Sequence, residues 1–293
     1  MKKINLRRLQ YCSLLLFVFF HFCTVFGDSG GTFILLNGTS CAGKSTLAAK
    51  LVEEFPGDFV IVKKTSYVKE KKVQLIQNIT GKTPYDYHDM NVWWHSLSIS
   101  RELEQMIEKE AFQVTMEKIK RKLKYGKNVI FDVTVKDLES FDPPDECNVL
   151  TVLVYAPLSV IAEREQQRAI KLPRDTLTRQ RSKKAILGAF SALYSPVKDD
   201  AEDFIGIVHR KDIFDRYDVP EKELVYLPFK KAVWNTLKKF NLLSKEQVKI
   251  APTQKHDLFI DSSKLTPEES ANLVAQRLKV PFAKPTDTVS RVF

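Results

Sequence analysis

Glycine (10) and proline (13) are both sparse in this 293-residue chain, which excludes a collagen-like or low-complexity linker protein. No internal repeat recurs, so solenoids and propellers are excluded too. Four cysteines make no disulfide framework: Cys12 and Cys23 fall in an N-terminal leader, and Cys41 and Cys147 are expected to be free thiols. The run from Tyr11 to Phe26, interrupted by His21, is shorter than the ~20 residues of a bilayer span. An Asn-Lys-x-Asp guanine-reading motif is absent as well, which argues against a GTPase. With 44% of residues apolar and 28% charged, the chain can bury one sizeable core without metal or disulfides.

Lys2, Lys3, Arg7 and Arg8 precede that apolar run, and Val25-Phe26-Gly27 follows in a form suited to cleavage. Residues 1–27 are therefore expected to be a signal peptide, leaving 28–293 as one domain secreted or placed outside the cytoplasm. An uncleaved anchor through residues 11–26 stays open as the alternative. Loss of the leader lowers the net charge from +10 to +6, which suits anionic ligands and plain solubility equally well.

Thr32 to Asn37, Phe59 to Val62, Asn128 to Asp132, Val149 to Val154 and Asp257 to Asp261 are short apolar runs, as expected of parallel strands covered on both faces. Helical patterns separate them. One runs from Ser45 to Glu54, another from about Val92 to Lys124, and others follow Pro157 and Thr266-Pro267-Glu268-Glu269, whose capping box opens the terminal helix. Between Val68 and Asn91 the chain is polar, with a short helix and then a loop over Thr80 to Asp89. This alternation predicts an α/β fold: a doubly wound parallel sheet of about five strands with helices on both faces. Residues 197–256 read as a mainly helical insertion, with helices near Ile205 to Arg216 and Phe229 to Phe240.

The sharpest motif is Gly38-Thr39-Ser40-Cys41-Ala42-Gly43-Lys44-Ser45, which fits G-x-x-x-x-G-K-[ST] between a strand and a helix. The glycines let the backbone curl so that its N–H groups meet phosphate oxygens, and the following helix, from Ser45 and Thr46, adds the positive end of its dipole. Lys44 is expected on the β- and γ-phosphates, and Ser45 on Mg²⁺. Asp132, ending its strand, is the expected second Mg²⁺ partner. Arg164 and Arg168 lie one helical turn apart, and with Arg174 they are expected to close over a triphosphate. Cys41 sits where a thiolate would be favoured, or is simply a small residue in a tight loop. Asn37-Gly38-Thr39 is a glycosylation sequon at a buried strand end and a poor acceptor; Asn78-Ile79-Thr80 is the more exposed one.

Ile34 to Ser45, Val129 to Asp132, Glu163 to Arg168 and the segment from Asp257 to Leu278 together resemble the chloramphenicol phosphotransferase-like P-loop kinases, related to zeta-toxin-like kinases. The resemblance implies ATP-dependent phosphorylation of a hydroxyl on a small molecule, with ATP and Mg²⁺ as cofactors and arginines closing over the phosphates. The sequence departs from that family in one respect. A carboxylate after the second strand would accept the acceptor's proton, and here the segment reads Lys63-Lys64-Thr65-Ser66-Tyr67. Asp89 is the first substitute, with Asp86, His88 and Asp132 as others. An effector that binds nucleotide without efficient transfer is the alternative, with a protein partner met through 197–256. A nucleic-acid end kinase ranks last, because the basic runs at 63–72 and 118–127 lack interleaved aromatics.

Overall fold

The computed structural model describes residues 30–84, 90, 93, 94, 96, 97, 99–132, 143, 144, 147–171, 176–217 and 230–279. The leader and the expected site residues Asp89 and Arg174, together with Asp86 and His88, lie outside them. Among the described residues, no helix is long and apolar enough to cross a membrane.

Five strands form one parallel sheet: β1 (Thr32–Asn37), β2 (Phe59–Val62), β3 (Asn128–Asp132), β4 (Asn148–Tyr155) and β8 (Leu258–Asp261), in the order β2-β3-β1-β4-β8. All five stand where the apolar runs put them. Their side chains alternate between faces, which is why both faces must be covered. Ile34 and Leu36 pack with Leu47, Ala48 and Leu51 of α1 (Lys44–Glu54) and with Ala271 and Val274 of α8 (Pro267–Arg277). Phe33, Leu35 and Phe131 meet Met116, Ile119 and Leu123 of α3 (Arg101–Lys124) on the other side. Each fully buried side chain of this kind contributes roughly 1.5–3 kcal/mol relative to exposure. The capping box at Thr266 and Glu269 forms as expected.

The remaining elements differ from the sequence pattern in three places. The helix after β2, α2 (Lys64–Thr80), runs 17 residues, because its Lys, Glu and Gln positions are good helix formers despite a polar surface. It stops at Gly81, whose φ of 71° suits a left-handed cap. The helix expected from Val92 begins instead at Arg101. Ser100 caps it by accepting the Leu103 N–H at 3.2 Å, and Glu102 and Glu104 stand in its first turn. Ile76, Met90, Trp94 and Ile107 make a small core of their own between α2 and α3, with the Trp94 indole donating to Glu104 at 2.7 Å.

The third difference lies between residues 194 and 252, where the chain builds an antiparallel sheet as well as the expected helices. β5 (Tyr194–Pro196), β6 (Gly206–His209) and β7 (Gln247–Pro252) pair in the order β5-β7-β6. The segment from Ile205, expected to be helical, opens as β6, and α6 (Arg210–Tyr217) follows. With α7 (Lys230–Lys239), these elements bury Val208, Ile213, Leu237 and Ile250 against Tyr155, against α4 (Leu158–Lys171) and against Phe190 of α5 (Thr176–Leu193). The described residues of 197–256 are thus joined to the end of β4 through one apolar core.

Candidate active site

The sheet order places β1 between β3 and β4, so the chain changes direction across β1, and the crevice beyond its C-terminal end is where such sheets hold ligands. Leu36 of β1 stands in register with Asp132 of β3 and with Val152 of β4. Residues 38–43 form the loop at that end. Gly38 has a φ of 140° and Gly43 of 104°, conformations that L side chains rarely adopt. Cys41 also takes a positive φ, 64°, in spite of its side chain.

Steric room decides Gly38 independently of φ. A Cβ there would lie 2.3 Å from the Val154 carbonyl oxygen, whereas one at Gly57, which also has positive φ, would meet nothing within 4 Å. Gly38→Ala is therefore expected to cost at least ~2 kcal/mol. Gly57→Ala carries only the backbone penalty of about 1 kcal/mol. Urea melts of the two variants check this, and equal losses would contradict the close approach to β4.

Three of the expected residues meet at the loop. Lys44 is buried, and its ammonium donates to the Gly38 and Thr39 carbonyls at 2.9 Å each and stands 3.7 Å from Asp132 Oδ1. Burial pushes the Lys44 ammonium below its ordinary pKa, and the negative Asp132 works against that. Ser45 donates its hydroxyl to Asp132 Oδ2 at 2.6 Å. Hydroxyl, ammonium and carboxylate thus form one cluster from two elements.

Arg164 joins the loop in a different manner. Its Nη1 donates to the Cys41 carbonyl at 3.3 Å and to Ser262 Oγ at 2.9 Å, and its Nη2 donates to the Ser262 carbonyl at 2.7 Å. Ser262 Oγ in turn donates to the Ala42 carbonyl at 2.5 Å. The guanidinium therefore ties α4, the phosphate loop and the segment after β8 together. Arg168, one helical turn on, is exposed on the same side as the loop and lines a cavity beside it. Ser262 escaped the sequence reading, although it directly follows a parallel strand's C-terminal end, the side where ligands gather.

Asn37 supports the loop from the end of β1. It is fully buried, its Oδ1 accepts the Gly38 N–H at 2.9 Å, and its Nδ2 meets His256 Nε2 at 3.3 Å. His256 Nδ1 lies 3.0 Å from the Gln254 carbonyl. A carbonyl only accepts, so Nδ1 carries the proton and neutral Nε2 accepts from Asn37. Burial pushes the His256 pKa below its ordinary 6.5, against the Gln254 carbonyl and Asp257, which raise it. With the folded value below the unfolded one, the unfolded chain takes up the proton first. This residue's contribution is therefore intact above about pH 6.5 and is lost as pH falls below it. His256→Gln is expected to flatten the loss of stability between about pH 7 and pH 5 in thermal melts. An unchanged slope would contradict the assignment.

Beside the loop opens a cavity of about 950 Å³, at the upper end of ligand-pocket sizes. Thr39, Ser40, Lys44, Ser45 and Asp132 line it, with Lys63 and Lys64 also in its wall. None of the described residues of 197–256 does, and Trp234 of α7 is 46% exposed. The residues present fit a nucleotide phosphate. Gly43 begins α1 without a side-chain cap, and the first turn holds no acidic residue, so its N–H groups suit an anion. The buried Thr39 hydroxyl has no hydrogen-bond partner among the described residues. A Mg²⁺ ion fits as well. Among the described residues no three His, Cys, Asp or Glu side chains converge, but Mg²⁺ binds through one or two carboxylates, water and phosphates. Cys41 is a thiol outside any disulfide, and the Cys147 thiol donates to the Pro144 carbonyl at 3.1 Å.

Residues 31–219 match the family described as chloramphenicol phosphotransferase-like protein. No curated protein matches. Among solved structures, dephospho-CoA kinase from Campylobacter jejuni is 10% identical with a TM-score of 0.43, over 86% of this chain and 98% of its own. The tunicamycin resistance protein of Deinococcus radiodurans is 14% identical with a TM-score of 0.37, over 87% and 99%. Shikimate kinase from Aquifex aeolicus is 15% identical with a TM-score of 0.35, over 84% and 96%.

Proposed function

Because the chain belongs to the chloramphenicol phosphotransferase-like family and is thus a phosphotransferase, we propose that it uses ATP to phosphorylate a hydroxyl on a small molecule. The observation that carries the reading is the Lys44, Ser45 and Asp132 cluster at the mouth of the cavity. Bound Mg²⁺-ATP would supply the phosphoryl group. The backbone from Gly38 to Ser45 would hold its phosphates, and Ser45 and Asp132 would hold the metal ion. Lys44 would leave the Gly38 and Thr39 carbonyls for phosphate oxygens, exchanging neutral acceptors for charged ones. Arg164 keeps the loop in position, and Arg168 brings a further cation to the cavity.

The proton of the acceptor hydroxyl needs a destination, and Asp132 is the carboxylate among the described residues that line the cavity. Such transfer depends chiefly on positioning and charge, so a weak base suffices. Export through residues 1–27 belongs to the same proposal.

Incubating the full chain with Mg²⁺ and γ-labelled ATP, together with a panel of hydroxylated metabolites, tests the reading. Label transferred to a metabolite is the expected result. ATP binding with no transfer and no hydrolysis would favour the second reading, a nucleotide-binding partner protein, for which the exposed Trp234 and the lysines at 63 and 64 speak.

A further inference from the structure

The cavity wall at the junction of β2 and α2 is made by Lys63, Lys64 and Thr65. Among the described lining residues, the cations Lys44, Lys63, Lys64, Arg164 and Arg168 face a single carboxylate, Asp132. Most of these charges are engaged within the protein. Lys44 is held by Asp132 and the loop carbonyls, Arg164 by Cys41 and Ser262, and Lys64 by Glu108 at 2.7 Å. Lys63 and Arg168 differ: both are exposed at the cavity, and neither side chain makes an ion pair or hydrogen bond with a described residue. Lys63 is the one that stands at the junction of β2 and α2.

Lys63 is also the N-cap of α2, where no side chain caps the first N–H groups and no acidic residue stands in the first turn. Cation and helix start therefore favour negative charge at the same wall. A neutral ligand closing over this wall would strip water from Lys63 and return only uncharged acceptors, whereas an anionic one would pair with its charge.

We propose that the second ligand of this cavity, bound beside the nucleotide, is an acidic small molecule: a hydroxylated compound that already carries a phosphate or carboxylate group, held by Lys63 and the start of α2. This rests on the kinase reading above and narrows its acceptor class. It also gives the missing carboxylate a physical reason, since an acid at position 63 would repel such a ligand.

The test is calorimetric titration of the full chain, saturated with Mg²⁺ and the non-hydrolysable analogue AMP-PNP, at fixed ionic strength. The probes are glycerol 3-phosphate, glycerate and glycerol. At least one of the two acids is expected to bind tenfold or more tightly than glycerol, and which one binds separates phosphate esters from carboxylates. Lys63→Glu is expected to weaken that binding at least tenfold. Lys63→Gln, which keeps the side chain's length without its charge, is expected to weaken it less, and it replaces the first variant should that not fold. Equal binding of acids and glycerol, no binding of either acid, or an acid affinity untouched in both variants would each overturn the proposal. Failure of AMP-PNP itself to bind is a separate outcome, which would overturn the kinase reading and this proposal with it.

Discussion

Lys44→Ala is expected to lower ATP-dependent turnover by at least ~100-fold, the scale on which removal of one fixed donor from a site of developing charge is felt. The ammonium is buried and already desolvated, so its attraction for phosphate is little screened by water. Its two hydrogen bonds to the Gly38 and Thr39 carbonyls hold it beside the loop, so little reorganisation is needed when phosphate oxygens replace them. Alanine removes that charge and leaves Asp132 without the cation 3.7 Å away, so nucleotide affinity should fall together with turnover. Lys44→Arg is expected to fail as well, because a planar fork does not fit a pocket shaped around a single ammonium. Retention of more than a tenth of the parent's turnover in Lys44→Ala would contradict this role.

Asp132→Asn should separate binding from chemistry. The amide keeps the size of the carboxylate and its oxygen still accepts the Ser45 hydroxyl, so the loop should remain folded and metal-free nucleotide should bind within about threefold of the parent. What disappears is charge. The proposed magnesium site loses its carboxylate, and turnover at saturating ATP is expected to fall by about 10²–10³. A second effect follows from the coupling to Lys44. Asp132 holds the Lys44 ammonium's pKa up against burial, so its neutralisation lets that pKa drop further. The alkaline limb of residual turnover should therefore move to lower pH. Turnover that stays high, or a limb that moves upward, would contradict the cluster.

Most of the phosphate-loop half of this candidate site is legible in the sequence, because it is local. The eight residues from Gly38 to Ser45 carry their own geometry, and β3 ends visibly at Asp132. The sheet then brings the two together by register, Leu36 beside Asp132. What stays hidden depends on contacts between distant segments. The spacing of Arg164 and Arg168 suggests a closure over the phosphates, yet Arg164 meets Ser262 98 residues away and so fastens the loop. The tie from Asn37 to His256 spans 219 residues, and nothing near either residue announces it.

The antiparallel sheet of β5, β7 and β6 is legible in part. Gln247-Val248-Lys249-Ile250 alternates cleanly between exposed or half-buried and buried positions, but its partners are strands of three and four residues, too short to reveal a period. The late start of α3 is written in Ser100 with Glu102 and Glu104, and an apolar stripe that continues upstream masks it.

Binding of Mg²⁺-ATP to the full chain, measured at equilibrium beside Lys44→Ala, tests the central claim most directly. Saturable binding by the parent, weakened at least tenfold in the variant, is the result predicted for a phosphate loop at residues 38–45. Binding of equal strength in both proteins, or none in the parent, would contradict it.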